Sequence, residues 1–309
     1  MPKVSIISTC YNEELNIVEC YETVKKQFQN LDIEYEHIFS DNNSNDKSAD
    51  IIRVICKNDK NIKLLINAKN YGPFLNNYNA LFYATGDFII VNYACDMQDP
   101  PQLLTEMVNE IKKGYDCIYA VKKSTDENFI IKSLRFIYYF IVDKLSENEI
   151  IKNTNEFICI NKSVLESIKA NEDYFPYIRG YIPRITDNYK IIYFNRLKRK
   201  FGKSKNSVFD LFKQAINGII STMDNIIYLA TIIFFITSIC LLLFSLYSFG
   251  VKIFFPDLAP KGITTVLLIL GIGFSMTMFV LSIILQYLLS IHNQVRLKFK
   301  VRLKEKVNF

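Results

Sequence analysis

The sequence predicts an α/β domain built on a mostly parallel sheet flanked by helices, followed by an interfacial amphipathic helix and two transmembrane helices. Three observations lead there. Short β-branched runs alternate with segments of helical period through the first hundred residues, the pattern of parallel strands joined by right-handed crossovers. A polar cluster follows each of the first four runs. No Asp, Glu, Lys or Arg occurs between Ile226 and Val251 or between Gly262 and Ile291, and each stretch exceeds the roughly 20 residues that cross a bilayer.

Val4 to Ser8 reads as the first strand, and Ile17, Val18, Tyr21, Val24 and Phe28 recur after it at helical spacing. Tyr35 to Phe39 is a second strand. It runs into Asp41-Asn42-Asn43-Ser44-Asn45-Asp46, a stretch of turn formers and caps, ahead of a helix through Ala49, Ile52 and Ile55. Ile62 to Ile66 makes a third strand, Tyr78 to Ala84 a helix, and Phe88 to Val91 a strand buried on both faces. Ligands of such sheets sit beyond the carboxyl ends of the strands. Tyr11-Asn12-Glu13, Asp41-Asn42, Lys69-Asn70 and Asp96-Met97-Gln98-Asp99 are therefore expected to converge on one cleft.

Beyond residue 205 the pattern changes. Val208, Leu211, Phe212, Ala215, Ile216, Ile219 and Ile220 form one apolar stripe, so residues 206–225 are read as a helix lying in the membrane interface. The expected order is a cytoplasmic domain (1–205), this helix, spans at 226–251 and 262–291 around an external loop (252–261), and a basic cytoplasmic tail (292–309). The tail carries Arg296, Lys298, Lys300, Arg302, Lys304 and Lys306 against Glu305 alone, whereas the loop holds two Lys and one Asp. The positive-inside rule then puts both termini in the cytoplasm of a multi-pass protein of the cytoplasmic (inner) membrane. The net charge of +6 is on this reading a topology signal, with no nucleic-acid partner. Small residues Gly271, Gly273 and Ser275 permit close helix approach, as in a homo-oligomer.

Seven cysteines without a C-x-x-C pair read as reduced, mostly buried thiols. Met1-Pro2-Lys3-Val4 lacks the apolar core of a signal peptide. With His37 and His292 as the only histidines, a His-rich zinc site or a Ser-His-Asp triad is hard to assemble, and the chemistry falls to carboxylates, basic residues and metal. Asp96, Gln98 and Asp99 set two carboxylates and an amide on a loop closed by Pro100-Pro101. Those are oxygen donors suited to Mg2+ or Mn2+ shared with substrate phosphates.

Taken in chain order, Tyr11-Asn12-Glu13-Glu14, Asp41-Asn42-Asn43-Ser44-Asn45-Asp46, Lys69-Asn70-Tyr71-Gly72, Asp96-Met97-Gln98-Asp99-Pro100-Pro101, Arg179-Gly180 and Arg199-Lys200-Phe201-Gly202-Lys203-Ser204-Lys205 resemble a known family. It is the glycosyltransferase family 2 domain of the dolichol-phosphate mannose synthase and bacterial polyprenyl-phosphate (bactoprenol) glycosyltransferase type. The resemblance implies a GT-A-type fold and an inverting transfer of sugar from a nucleotide-diphosphate sugar to a polyprenyl phosphate, for cell-surface glycan assembly. It implies that Thr9, Tyr11, Glu13, Asp41, Asn42, Lys69, Asn70 and Gly72 bind the nucleotide sugar and that Asp96 and Gln98 hold Mg2+ or Mn2+. Asp96, Asp99, Arg199 and Lys205 would be catalytic. Arg179, Arg199, Ser204 and Lys205, with Glu156 as a further candidate, would meet the acceptor phosphate.

Ala94 stands where the family carries the first Asp of Asp-x-Asp, Asn42 replaces the second Asp of the nucleotide-binding pair, and Thr9 replaces a frequent Pro. Two alternatives stay open. One is transfer to a hydroxyl of a lipid-linked saccharide, which needs a general base; the other is a catalytically silent membrane scaffold, the reading that Ala94 favours.

Overall fold

Eight short strands line up in a computed structural model that describes residues 1–29, 31–123, 151, 154–170, 178–197, 224–255, 262–295 and 301–309. They are β1 (Lys3–Cys10), β2 (Glu34–Asp41), β3 (Ile62–Asn67), β4 (Phe88–Val91), β5 (Cys117–Lys122), β6 (Thr154–Asn161), β7 (Tyr189–Phe194) and β8 (Leu303–Val307). Their spatial order is β7-β5-β6-β4-β1-β2-β3-β8. β4, β1, β2 and β3 pair in parallel, which brings the loops after all four to one end of the sheet. β6 runs antiparallel to both β4 and β5, and β8 antiparallel to β3, so the sheet is mixed.

Helices cover both faces. α1 (Ile17–Phe28), α2 (Ser48–Asn58) and α4 (Gln102–Ile111) lie on one, and α3 (Pro73–Leu81), α5 (Lys162–Ala170) and α6 (Ile178–Ile185) on the other. The helical period decides which side chains go inside. α1 buries Ile17, Cys20, Tyr21, Val24 and Phe28, and α4, entered through Pro100 and Pro101, buries Leu103, Leu104, Met107, Val108 and Ile111. Every cysteine of this domain is buried as a free thiol.

The turn into β4 contains a glycine that nothing larger replaces without strain. A Cβ built on Gly86 would lie 2.7 Å from the Ser5 nitrogen and 2.8 Å from the Lys3 carbonyl oxygen, both backbone atoms of β1. Gly86→Ala must push β4 from β1, and the expected cost is about 1–3 kcal/mol, the range of an overpacked core. A lowered unfolding midpoint checks it.

α7 (Asp224–Phe254) and α8 (Ile263–Val295) form a second compact unit. Within them Thr231–Phe254 and Ile263–Leu288 are long and apolar enough to cross a membrane, with mean hydropathy 2.4 each. The two helices run antiparallel. Gln286 donates to Thr231 Oγ1 at 2.8 Å, Ser238 and Ser275 donate to each other's carbonyl at 3.0 and 2.9 Å, and a Cβ on Gly271 would overlap the Ser245 hydroxyl. Gly271 and Ser275 thus serve contact inside the hairpin, whereas Gly273 has no atom within 4 Å of a built Cβ. Leu243, Phe244, Tyr247, Ile269 and Met276 point outward.

Two differences from the sequence reading stand out, and most of one expected element lies outside the described residues. Lys252, expected in the loop, lies in the last turn of α7. Residues 206–223 of the expected interfacial helix lie outside the described residues, and Asp224 and Asn225 open α7. The end of the expected tail is β8, because residues 301–307 alternate half-buried and exposed side chains with the period of a strand.

Candidate active site

The loops after β1 and β2 are sewn together by side chains that accept from backbone N–H groups. Asn12 N donates to Ser44 Oγ at 2.8 Å, Glu13 N to Ser48 Oγ at 2.9 Å and Glu14 N to Asp46 Oδ2 at 3.1 Å. In return Asn45 N donates to Asn12 Oδ1 at 2.7 Å and Lys47 N to Glu14 Oε2 at 3.0 Å. Asn12 and Asn43 hold left-handed backbone, with φ of 54° and 62°, a conformation that Asn tolerates well. Glu13 also receives the Asn16 side-chain amide at 2.5 Å.

Asp41 ends β2 fully buried. Its carboxylate accepts from Ser44 N at 3.0 Å, from the Ser44 hydroxyl and from the Cys10 thiol at 3.7 Å. Burial pushes this carboxyl above its ordinary range, and the Ser44 contacts and Cys10 only partly oppose it. The residue therefore organises the loop that Tyr11 and Glu13 share. Ser44 is read in the sequence only as part of a turn-forming stretch, and Ser48 is not among the residues that the sequence reading singles out.

Asn42 turns toward the β3 loop. Its Nδ2 donates to Asn70 Oδ1 at 2.8 Å, and its Oδ1 accepts from Asn67 Nδ2 at 3.0 Å and Tyr71 N at 3.0 Å. Asn67 also donates to Asn76 Oδ1 at 2.8 Å, and Asn70 Oδ1 takes Gly72 N at 2.9 Å. An Asp at 42 has no N–H to offer Asn70, so the Asn found here is chemically matched to its neighbours. Gly72 has φ 85° at the start of α3, where Pro73 follows. Lys69 lies over the Tyr71 ring at 5.1 Å.

After β4 the chain alternates: Asn92, Ala94, Asp96 and Gln98 are part-exposed, while Tyr93, Cys95, Met97 and Asp99 are buried. Thr9 Oγ1 donates to Asn92 Oδ1 at 2.7 Å, so Thr9 ties β1 to this loop. Met97 holds φ 57°, costly for a side chain of its size, with its sulfur at 3.7 Å from the Tyr93 hydroxyl that donates to it. Asp96 Oδ1 accepts from Gln98 N at 3.3 Å, and Gln98 is joined to the segment after β7 by Leu197 N donating to its carbonyl at 2.8 Å.

The described residues hold no group of three His, Cys, Asp or Glu arranged to bind a metal. Asp96 and Gln98 offer one carboxylate and one amide oxygen, which suit Mg2+ or Mn2+ where a substrate diphosphate completes the shell. An Asp at position 94 would add a second part-exposed carboxylate.

β6 brings Glu156 to the same end of the sheet, because Ile158 pairs with Val91. It is buried, and Asn77 Nδ2 donates to its Oε2 at 2.7 Å. Arg179 falls on α6 with its side chain outside the described residues, as are Arg199, Ser204 and Lys205 altogether. The geometry thus gathers Thr9, Tyr11, Glu13, Asp41, Asn42, Lys69, Asn70, Gly72, Asp96, Gln98, Asp99 and Glu156 at the carboxyl ends of neighbouring strands.

Comparison with known proteins supplies a family. The chain is 29% identical over 216 residues to the uncharacterized glycosyltransferase YkcC of Bacillus subtilis, covering 70% of this chain and 67% of that one. It is 27% identical over 221 residues to a prophage bactoprenol glucosyl transferase homolog of Escherichia coli, covering 71% and 72%. Mannosyl-3-phosphoglycerate synthase from Rubrobacter xylanophilus superposes with a TM-score of 0.52 at 10% identity over 71% of this chain and 72% of that one, a likeness of fold. The profile of glycosyl transferase family 2 matches residues 5–175, more than half of the 309. With that match lying on β1 to β6 and on the loops at the carboxyl ends of β1 to β4, the chain belongs to glycosyl transferase family 2.

Proposed function

We propose that this family 2 enzyme moves a sugar from a nucleotide-diphosphate sugar to a polyprenyl phosphate at the cytoplasmic membrane face, inverting the anomeric configuration. The observation that carries the reading is a family 2 cleft on strands β1 to β4 in a chain that also holds two helices fit to cross a membrane. The bactoprenol glucosyl transferase names among the relatives support the lipid acceptor. Because β8 follows both helices and joins the sheet of β1, the chain returns to the side it left, which supports two passes with both termini in the cytoplasm.

In the proposed reaction an oxygen of the acceptor phosphate attacks the anomeric carbon from the face opposite the nucleotide. The bond from that carbon to the diphosphate oxygen breaks, and its electron pair leaves with the nucleoside diphosphate. No side chain has to remove a proton, because a phosphate monoester with a second pKa of about 6 is largely dianionic near neutrality. Tyr11 and Glu13 face the nucleoside on a loop that Asp41, Ser44 and Ser48 hold in place. Asp96 and Gln98 would hold a divalent cation, whose charge offsets that of the departing diphosphate. Asp99 closes the loop at the sugar, and Arg179, Arg199, Ser204 and Lys205 receive the acceptor phosphate.

The test is release of nucleoside diphosphate by purified protein in detergent, with undecaprenyl phosphate present or absent, across UDP, GDP and dTDP sugars with Mg2+ or Mn2+. Release that requires lipid phosphate and stops with chelator is expected, with a product of opposite anomeric configuration. Release with a lipid-linked saccharide alone overturns the phosphate acceptor. No release and no nucleotide binding overturns catalysis altogether.

A further inference from the structure

β8 touches the donor side of the cleft. At its start Ala68 N donates to Arg302 O at 2.8 Å, and Arg302 N donates to the Tyr71 hydroxyl at 3.4 Å. The pairing of Asn67 with Leu303 and Ile66 with Glu305 skips one residue, Lys304, a bulge at the point where β3 becomes the Ala68–Gly72 loop. Bulges of this kind bend a strand and re-aim the residues beyond it. The loop is therefore held from the cleft side by Asn42, through Tyr71 N and Asn70, and from the outer side by the main chain of Arg302.

The rest of β8 is anchored away from the cleft. Arg53 on α2 donates from Nε and Nη2 to the two Glu305 oxygens at 3.1 and 2.7 Å, and Asn308 Nδ2 reaches the carbonyls of Cys56 and Ile62 at 2.8 Å each. Lys306 lies over the Tyr83 ring at 4.8 Å, and Phe309 meets the same ring edge-on at 5.4 Å. Val307 packs against one apolar core and Leu303 against the other.

We infer that β8 is a clamp that pre-orders the Lys69–Gly72 loop for the nucleotide sugar, with Glu305 as the positioning residue that keeps the clamp docked. The inference rests on the donor reading proposed above. An ordered loop spares the donor the entropy of fixing it, so undocking β8 weakens donor binding and leaves the chemical step alone. Linkage then requires the converse, that a bound nucleotide makes β8 harder to open.

The experiment uses the full chain in detergent. Glu305→Arg sets two guanidinium groups against each other, and the exchange Arg53→Glu with Glu305→Arg restores the pair in reverse. Glu305→Arg is expected to raise the donor KM by about fivefold or more, with deuterium uptake faster in residues 66–72, and the exchanged pair to recover both. Turnover should stay within about twofold. Tyr71→Phe, which removes the Arg302 N contact to the loop and leaves the Ala68 N to Arg302 O bond in place, should move KM in the same direction by a smaller factor. UDP, GDP or dTDP, whichever binds, should slow uptake in residues 301–309 as well as in 66–72. Uptake in 66–72 that is unchanged while 301–309 opens overturns the clamp, as does an unchanged KM. A wild-type chain that binds none of the three nucleotides overturns the donor reading, and the uptake comparison between wild type and Glu305→Arg still decides whether β8 orders the loop.

Discussion

Asp96→Ala is expected to lower lipid-dependent release of nucleoside diphosphate by about 10²-fold or more, the usual cost of removing one preorganised group that compensates developing charge. The site offers little redundancy. Among the part-exposed positions of the β4 loop, Asn92, Ala94, Asp96 and Gln98, only Asp96 carries a charge, and Asp99 is buried. The backbone geometry of the loop rests on buried Met97 and Tyr93, not on the Asp96 carboxylate, whose hydrogen bond from Gln98 N is long at 3.3 Å. The variant should accordingly keep the wild-type unfolding midpoint while its rate collapses. Ala94→Asp supplies the missing partner and should lower the Mg2+ concentration needed for half-maximal rate. Measuring rate against Mg2+ for the three proteins checks both statements. An Asp96→Ala rate within a few fold of wild type would remove this carboxylate from the chemistry.

The second large effect is on stability and lies at the opposite end of the sheet. Glu36, near the amino end of β2, is almost fully buried and receives Ser5 Oγ at 2.5 Å, Thr85 N at 2.8 Å, Lys63 Nζ at 2.8 Å and Lys3 Nζ at 2.9 Å. Burial by itself pushes the carboxyl up, but Lys63, Ser5, Thr85 and Lys3 together outweigh it and hold the group down to about 2. A carboxyl depressed in the folded state stabilises it at pH above the unfolded value of about 4.3. That contribution is lost as pH falls from there toward 2. Glu36→Ala should cost about 3–5 kcal/mol, since it strands Lys63 and the Ser5 hydroxyl without their partner. Denaturant unfolding at neutral pH reads the loss, and the variant's stability should fall less than that of wild type between pH 4.5 and 2. Turnover per folded molecule should be unchanged, because Glu36 is remote from the carboxyl ends of the strands.

Much of the first half of the chain is legible in the sequence, and for one reason. From Val4 to Val91 the apolar period switches cleanly between two and 3.6, and parallel pairing forces the intervening polar clusters to one end. What the sequence hides is partnership. Asn42 and Thr9 read as residues facing a nucleotide, and the structure adds the neighbours that each of them holds, Asn70, Asn67 and Tyr71 for Asn42 and Asn92 for Thr9. Short polar side chains at strand ends look alike in sequence whether they face a ligand or an adjacent loop. β5, β6 and β7 escape because the four-loop pattern ends at β4 and because β6 inserts antiparallel between β4 and β5. β8 is concealed by its charges. Arg302, Lys304 and Lys306 count as a positive-inside signal, while Leu303, Glu305 and Val307 between them already carry the alternation of an edge strand.

That late strand also sets an order of assembly. β3 is an apolar ribbon, Ile-Lys-Leu-Leu-Ile-Asn, and its outer edge is covered by β8 alone among the described residues. On a ribosome adding about 5–20 residues per second, Leu303 follows Asn67 by an interval on the order of tens of seconds. Both apolar helices are made in that time. The β3 edge therefore emerges bare and aggregation-prone, and it is sealed only after the hairpin has been synthesised. Chaperone protection during translation is needed longest at β3, and a nascent chain halted within α8 displays an open sheet to its neighbours.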